Sequence, residues 1–140
     1  IVDVIQIPLS VLDQRLVYTV LPEAITADVG VIARSVLLKG ALTPQAKYLP
    51  YELQPLREAV NRCRSKFDIS WDQLPEYAIR YCLGVVGVHS ILVGVRSQDE
   101  LDHALDAVRL GPLSETDMNL ASDLGLMEEH LLNPFYWNIP

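Results

Sequence analysis

Polar residues interrupt or follow three apolar runs of the sequence, and their types suit ligand binding. Gln6 lies inside the first run, Arg34 ends the second, and the turn at residues 94–97 follows the third. A guanidinium can stack on a planar ring or bind an anion, and a turn that delivers a helix N-terminus can hold a phosphate. These three places are therefore the candidates for binding a phosphate-containing or otherwise anionic ligand.

Each candidate also has a purely structural interpretation. Gln6 could equally be a core amide whose hydrogen bonds are satisfied, and Arg34 could equally pair with a neighbouring acid. The turn at residues 94–97 could be a plain helix cap. Asp99 and Glu100 favour that interpretation, because two carboxylates in the first turn already complement the helix dipole and would repel a phosphate.

The sequence predicts no catalytic group and no metal site. His89, His103 and His130 lack the spacing of metal ligands, and no serine sits in a nucleophile elbow. Cys63 and Cys82 have no local base and no metal spacing. Two unpaired thiols are typical of a reducing compartment, so we expect a cytoplasmic protein.

Apolar periodicity and breaker residues predict the elements that position these groups. Strands are expected over residues 1–9, 30–35 and 90–95, and helices over residues 22–27, 51–66, 97–110 and 114–124, with a further helix within 68–83. The near-continuous apolar strands indicate parallel strands covered on both faces, and the alternation of strands with helices indicates an α/β fold. The long loop at residues 36–53 leaves a strand's carboxyl end and is expected to be functional or mobile, whereas the tail LLNPFYWNIP is expected to be extended and packed.

The third strand and the helix after it give the sharpest local prediction. Ser97 and Glu100 have the spacing of a capping box, in which the hydroxyl accepts a backbone N–H and the carboxylate reaches back. Beyond the cap, one helical face carries apolar residues: Leu101, Ala104, Leu105 and Val108. Gly111-Pro112 ends the helix, because Gly adopts a left-handed turn and Pro cannot continue the helix.

Composition limits the partners that this chain can have. It has 140 residues, half of them apolar, and a net charge of −7, so it is one domain in size and nucleic acid is not expected as a partner. No apolar run approaches the ~18 residues that a membrane span needs. The sequence begins with Ile rather than Met, so a fragment of something longer is expected. A three-stranded parallel sheet has two open edges, which predicts either a homo-oligomer or a missing N-terminal half that covers them.

Four segments together resemble the C-terminal part of the aldo/keto reductases: DVIQIPLSVLDQR, VGVIARSVLLKGALT, ILVGVRSQDELDHAL and LLNPFYW. The resemblance implies a partial (β/α)₈ TIM barrel, made of the last three β/α units with the C-terminal helix and tail. It also implies that residues 1–140 form one segment, the C-terminal half of such a barrel. Nicotinamide dinucleotide would bind across the carboxyl ends of the strands.

The resemblance also implies roles for individual residues. Gln6 would hydrogen-bond the nicotinamide carboxamide, and Arg34 stands where many members have an aromatic ring against the nicotinamide. The segment around the diphosphate would include Ser35, Leu37 and Gly40, and the turn toward the adenosine phosphate would include Gly94, Arg96 and Ser97.

Two positions depart from the family pattern at the adenosine end. Glu100 replaces a common Arg or Gln, and Ala104 replaces a usual Asn. A carboxylate repels a ribose 2′-phosphate, so NAD is favoured over NADP, with binding weak or absent in this chain alone. The family's catalytic Asp, Tyr, Lys and His lie on earlier strands, outside this sequence. We therefore expect the chain alone to be inactive.

Three functions remain in view. The first is the cofactor-binding portion of an NAD(P)-dependent oxidoreductase that interconverts carbonyls and alcohols. The second is a non-catalytic half-barrel used for packing or protein interaction, which Glu100 and Ala104 favour. The third, a phosphate-binding barrel lyase or isomerase, shares the predicted fold but not the four segments.

Overall fold

Three parallel strands form the centre of the fold in the computed structural model, which describes residues 1–139. The strands are β1 (Val4–Pro8), β2 (Gly30–Arg34) and β3 (Ser90–Ile91), in that spatial order. The helices are α1 (Val20–Thr26), α2 (Gln54–Phe67), α3 (Leu74–Gly84), α4 (Gln98–Leu110), α5 (Glu115–Ala121) and α6 (Glu129–Leu132). The predicted α/β order and parallel pairing are confirmed.

The register of the strands divides the sheet into a covered face and an open face. Gln6 is aligned with Ile32, and Ile32 with Ser90. Aligned residues of parallel strands point to the same side, and neighbours along a strand alternate. Ile7, Val31 and Ala33 are buried on the covered face.

The open face consists of Val4, Gln6, Pro8, Ile32, Arg34 and Ser90. Val4 is 54% exposed, and Gln6 and Arg34 are exposed as well. The prediction of strands covered on both faces is therefore wrong, because no element among residues 1–139 packs on this side of the sheet.

The third strand is much shorter than predicted, with two residues instead of the six of residues 90–95. It lies at the sheet edge and bonds only to β2, so nothing among the described residues holds its outer side. On the inner side, the Leu92 N–H donates to the Ala33 carbonyl at 2.8 Å. Before the strand, the His89 N–H donates to the Val31 carbonyl at 2.9 Å, and the His89 Nδ1 atom accepts the Val31 N–H at 3.1 Å.

The core lies between the covered face and the helices. Leu56, Val60 and Cys63 recur on the inner face of α2, and Ala78 and Cys82 on that of α3. Burying such side chains contributes roughly 1.5–3 kcal/mol for each large one. Before α3 the Ser70 hydroxyl and the Gln73 side-chain carbonyl each accept the other's backbone N–H, and the helix itself begins at Leu74, beside Pro75.

Helix α4 begins and ends as predicted, but its apolar face is uncovered. Leu101, Leu105 and Val108 are 38%, 43% and 48% exposed, and only Ala107 is buried. We refer to Leu101, Leu105 and Val108 as the α4 stripe. The helix packs on α3, and only Glu100, Ala104 and Ala107 of its residues are not exposed.

The long loop and the tail differ from their predicted form. Residues 36–53 fold into three short 3₁₀ turns, Leu38–Gly40, Pro44–Tyr48 and Tyr51–Leu53, with several side chains buried. The tail forms α6 and a 3₁₀ turn at Pro134–Tyr136 rather than an extended segment. The predicted packing of the tail holds for Leu131, Leu132 and Trp137, which are buried, and the Trp137 indole N–H donates to the His130 carbonyl at 3.1 Å. Phe135 and Tyr136 are exposed instead.

Candidate functional site

Gln6 and Arg34 lie on the open face of the sheet, where the register places them on adjacent strands two residues apart. Both side chains are exposed, so a ligand on this face could reach an amide and a guanidinium together. The Arg34 Nη1 atom donates to the Ser35 hydroxyl at 3.2 Å. No carboxylate among residues 1–139 forms a salt bridge with Arg34, so the structure does not support the interpretation of Arg34 as one half of an ion pair.

The loop that follows β2 has an unusual concentration of left-handed backbone. Ser35, Leu38, Lys39 and Gly40 have φ values of 62°, 45°, 49° and 87°. Each such non-glycine residue costs roughly 1 kcal/mol, and strain of this kind clusters at functional sites. The loop therefore holds a shape that its own residues do not prefer.

Local hydrogen bonds keep this loop in place. The Leu38 N–H donates to the Ser35 carbonyl at 2.8 Å, and the Thr43 hydroxyl donates to the Gly40 carbonyl at 2.7 Å. Within the described part of the chain, the backbone N–H groups of Val36 and Leu37 donate to no protein acceptor. Val36 is 1% exposed and Leu37 is half-buried, so only the Leu37 N–H belongs to a residue that an anionic ligand could reach.

The turn between β3 and α4 forms a helix cap of a slightly different kind from the one predicted. The Ser97 hydroxyl accepts the Glu100 N–H at 3.2 Å, as the capping box requires. The Glu100 carboxylate, however, accepts the backbone N–H of Arg96 at 2.7 Å rather than that of Ser97, and it pairs with the Arg96 guanidinium at 3.0 Å. These hydrogen bonds lower the pKa of Glu100. Arg96, the cationic residue of the turn that was predicted to lie toward the adenosine phosphate, is thus already paired.

The structure brings the predicted residues together in two groups. Gln6, Arg34, Ser35, Leu37 and Gly40 share the carboxyl end of β1 and β2 and the loop above it. Gly94, Arg96, Ser97 and Glu100 form a separate exposed turn beyond the short β3. No heavy atom lies within 4 Å of the position that a Gly94 Cβ would occupy, so this turn is open toward solvent.

Sequence reasoning missed a polar cluster in the loop after β1. Asp13 and Gln14 are buried, and the Asp13 carboxylate accepts two hydrogen bonds from Arg15 at 2.8 and 3.0 Å. The Gln14 amide donates to the carbonyls of Val11 and Ala121 at 2.8 and 2.7 Å. Nearby, the Leu126 N–H donates to the Leu12 carbonyl at 2.8 Å. The sequence feature that could have revealed this cluster is the polar triplet Asp13-Gln14-Arg15, which directly follows an apolar run.

The described residues hold no further cluster of side chains suited to metal binding or nucleophilic chemistry. Among residues 1–139 no group of three or more His, Cys, Asp or Glu side chains is placed to hold a metal ion. Both cysteines are free and buried, and burial raises the pKa of the Cys63 thiol to about 12. Over the same residues, no helix has the length and apolar character needed to span a membrane.

A sequence model of the aldo/keto reductase family matches residues 2–124, which is most of the chain. A search of curated proteins finds no significant match. The comparison with solved structures returns aldo-keto reductases.

Aldo-keto reductase AKR11C1 from Bacillus halodurans is similar in its apo form at 22% identity and a TM-score of 0.68, and in its holo form at 23% and 0.71. These alignments cover 92% of this chain and 46% or 44% of the other. The thermostable aldo-keto reductase Tm1743, in complex with the inhibitor epalrestat, aligns at 19% identity and a TM-score of 0.59, over 87% of this chain and 39% of its own. The chain therefore spans less than half the length of these structures, and at these identities they support the fold.

Proposed function

Because the chain belongs to the aldo/keto reductase family, we propose that the carboxyl end of its sheet binds a nicotinamide dinucleotide. In this proposal β1, β2 and β3 are the last three strands of a (β/α)₈ barrel, and the chain is the cofactor-side portion of an oxidoreductase. When bound, the cofactor supplies or accepts the hydride that interconverts a carbonyl and an alcohol. The two free, buried thiols of the chain suit a reducing compartment, and a cytoplasmic location is part of the proposal.

The observation that carries the proposal is the shared position of Gln6 and Arg34 on the open face. An exposed amide can both donate to and accept from a carboxamide, and a planar guanidinium can lie against an aromatic ring. The adjacent N–H group of the half-buried Leu37 donates to no protein acceptor within the described residues and is suited to a diphosphate oxygen. The donor set therefore fits the nicotinamide and diphosphate parts of the cofactor.

The adenosine end fits a 2′-hydroxyl better than a 2′-phosphate. The Arg96 guanidinium is paired with Glu100, so its charge is offset where a phosphate would need it. Ser97 uses its hydroxyl to cap α4. We therefore favour NAD over NADP, with weak binding because this end offers little attraction.

We further propose that the chain alone does not reduce carbonyls. Neither Gln6 nor Arg34 has the character of a general acid at neutral pH, because Gln6 is an amide and a guanidinium does not give up its proton. Gln6 and Arg34 would orient the cofactor. Proton transfer to the substrate would require groups that the described part of this chain does not place beside them.

Titration with NADH tests the proposal directly. Binding raises the fluorescence of the nicotinamide when it leaves water, and Arg34→Ala should weaken the affinity about tenfold, since it removes a charged, planar contact. Arg62→Ala is the matched control, because Arg62 is an exposed arginine on the outer face of α2. Saturable binding by the wild type that is lost selectively in Arg34→Ala supports the proposal. No binding, or equal losses in both variants, contradicts it.

A second candidate function is a non-catalytic half-barrel that acts through protein contact. The exposed α4 stripe and the open sheet face favour it, because uncovered apolar surface marks interaction sites. This function predicts no response to NADH, so the same titration separates the two.

A further inference from the structure

A side chain rather than a backbone carbonyl closes the amino end of the β2–β3 pairing. The His89 Nδ1 atom accepts the Val31 N–H at 3.1 Å, while the His89 N–H donates to the Val31 carbonyl at 2.9 Å. In a regular parallel pair, the N–H and the carbonyl of one residue bond to two residues of the next strand that lie two positions apart. The regular acceptor for the Val31 N–H would therefore be the Gly87 carbonyl, and the imidazole takes its place.

The backbone at Gly87 accounts for this arrangement. Gly87 has a left-handed φ of +93°, and it packs so closely on α1 that a Cβ there would lie 2.8 Å from the Ile25 side chain. Over the described residues its carbonyl accepts no hydrogen bond from Val31. Val31 is fully buried, so without His89 its N–H would have neither a protein acceptor nor water, which destabilises a fold.

We propose that His89 is a pH-sensitive fastening of β3, which holds only while its imidazole is neutral. An Nδ1 atom that accepts a hydrogen bond carries no proton, so the proton of the neutral ring is on Nε2. A second proton goes to Nδ1 and turns the acceptor into a donor that faces another donor. His89 is exposed, so protons from the solvent reach the ring. Because β3 has only two residues, loss of this bond releases the start of the strand from β2.

No ion pair compensates for the lost bond when the ring is protonated. The charged or titratable side chains on the elements around His89 are Asp3 before β1, Glu23 on α1, Asp28 before β2, Arg34 at the far end of β2, and Glu76, Tyr77, Arg80, Tyr81 and Cys82 on α3. Glu76 pairs with Arg80, and within residues 1–139 no carboxylate forms a salt bridge with His89. Tyrosine and cysteine side chains are neutral at pH 5–8. The fastening is therefore complete above about pH 6.5 and is lost as pH falls below it.

Amide hydrogen exchange of Val31, followed by NMR, tests the proposal without any variant. The protection factor, which corrects for the intrinsic effect of pH on exchange, should fall about tenfold between about pH 7.5 and pH 5.5. A free histidine is about nine-tenths neutral at the first pH and about nine-tenths protonated at the second, and the closed pairing accepts only the neutral form.

Two variants separate His89 from other effects of acid. In His89→Asn the side-chain oxygen stands where Nδ1 stands and accepts a hydrogen bond throughout this pH range, so Val31 should be equally protected at both pH values. His103→Asn is the matched control, because His103 is an exposed histidine on α4. This variant should keep the tenfold change of the wild type.

A long-range proton–nitrogen correlation spectrum of the imidazole at about pH 7.5 should place its proton on Nε2. Three results would overturn the proposal: a neutral His89 ring protonated on Nδ1, a wild-type Val31 protection factor that is the same at both pH values, or a loss of protection that His89→Asn shows as well. None of these measurements involves the cofactor, so they test His89 independently of the proposed function.

Discussion

Glu100 determines what the turn between β3 and α4 can offer to a ligand. Its carboxylate accepts from both the backbone and the guanidinium of Arg96, and these contacts hold its pKa below the ordinary range. The Glu100 carboxylate therefore neutralises the Arg96 guanidinium, which is the cation that a phosphate at this turn would otherwise contact. The pair is exposed, so its effect on stability is small, but its effect on the charge of the turn is direct.

Glu100→Gln should shift cofactor preference toward NADP. An amide cannot neutralise Arg96, so we expect the affinity for NADPH relative to NADH to rise about fivefold, the size of a typical exposed charge effect. Isothermal titration with each cofactor measures it. Asp102→Asn is the control, since Asp102 is a carboxylate on the same helix that accepts from Gln98. Equal changes in the two variants would remove Glu100 from the specificity of the site.

Individual residues were predictable to different degrees. Arg34 and Gln6 were identified from their places in apolar runs, and both lie on one face. Of the two interpretations of Gln6, the structure contradicts the core amide, because the side chain is exposed and burial depends on what packs above a strand rather than on the strand itself. The partner of Glu100 was displaced by one residue, since the Arg96 guanidinium adds a charge-assisted bond that the simple capping pattern does not include.

At the level of elements, the strained loop after β2 depends on one glycine. Gly40 has a φ of +87°, and the loop needs this value to bring the Thr43 hydroxyl to the Gly40 carbonyl. A side chain is disfavoured at such an angle whatever space surrounds it.

Gly40→Ala should lower the free energy of unfolding by about 1–2 kcal/mol, because Ala must adopt a left-handed conformation there. Urea denaturation followed by circular dichroism measures this. Gly94→Ala provides the comparison: no atom lies within 4 Å of the added Cβ, and Gly94 is not at positive φ. We expect Gly94→Ala to change the free energy of unfolding by less than about 0.5 kcal/mol. A Gly40→Ala protein as stable as Gly94→Ala would show that the loop does not need this conformation.

The helices were more predictable than the third strand. Helix α4 follows its periodicity and its Ser97 cap, which are local properties of the sequence. Strand β3 needs neighbours on both sides to extend, and among the described residues it has only β2. For the same reason, periodicity located the apolar face of α4 but could not tell that the face has no partner within the described chain.

For the whole molecule, the two thiols report on global unfolding. Cys63 and Cys82 are buried on different helices of one core, and burial raises the pKa of both, to about 12 for Cys63. We expect neither thiol to react with iodoacetamide at about pH 8 while the chain is folded, and both to react in denaturant. Intact mass spectrometry counts the modified thiols. Rapid labelling of Cys63 in the folded chain would contradict the packing described for α2.

The same thiol predicts a loss of stability in alkali. Unfolded Cys63 ionises near its ordinary pKa of 9.0, whereas the folded thiol keeps its proton to about 12. The buried Cys63 thiol therefore makes its full contribution to the free energy of unfolding below pH 9. This contribution falls as pH rises from 9 toward 12, by about 1 kcal/mol between pH 9 and 10. Urea denaturation at both values should show this part of the loss in the wild type and not in Cys63→Ala. An identical loss in both would exclude Cys63 as a cause.

At the same scale, the parallel α/β order was predictable and the uncovered surface was not. The spacing of apolar residues changes between the strand segments and the helix segments of the sequence, and this change predicts the alternation of strands and helices. The three strands and six helices of the described residues confirm that alternation. Two open edges were expected from the number of strands alone. Which side of the sheet would be bare depends on the crossovers, since the helices that follow the strands pack on the covered face.

The hydrogen bonds from the loop after β1 to the last third of the chain have a consequence for synthesis. Gln14 needs the carbonyl of Ala121, and Leu12 accepts from Leu126, so the first loop cannot be completed until more than a hundred further residues have been translated. Strand β1 can pair with β2 well before that point, whereas the loop after β1 lacks these contacts until the last third of the chain has emerged. Contacts so distant in sequence also fold slowly, so newly made chains are expected to need a chaperone during this interval.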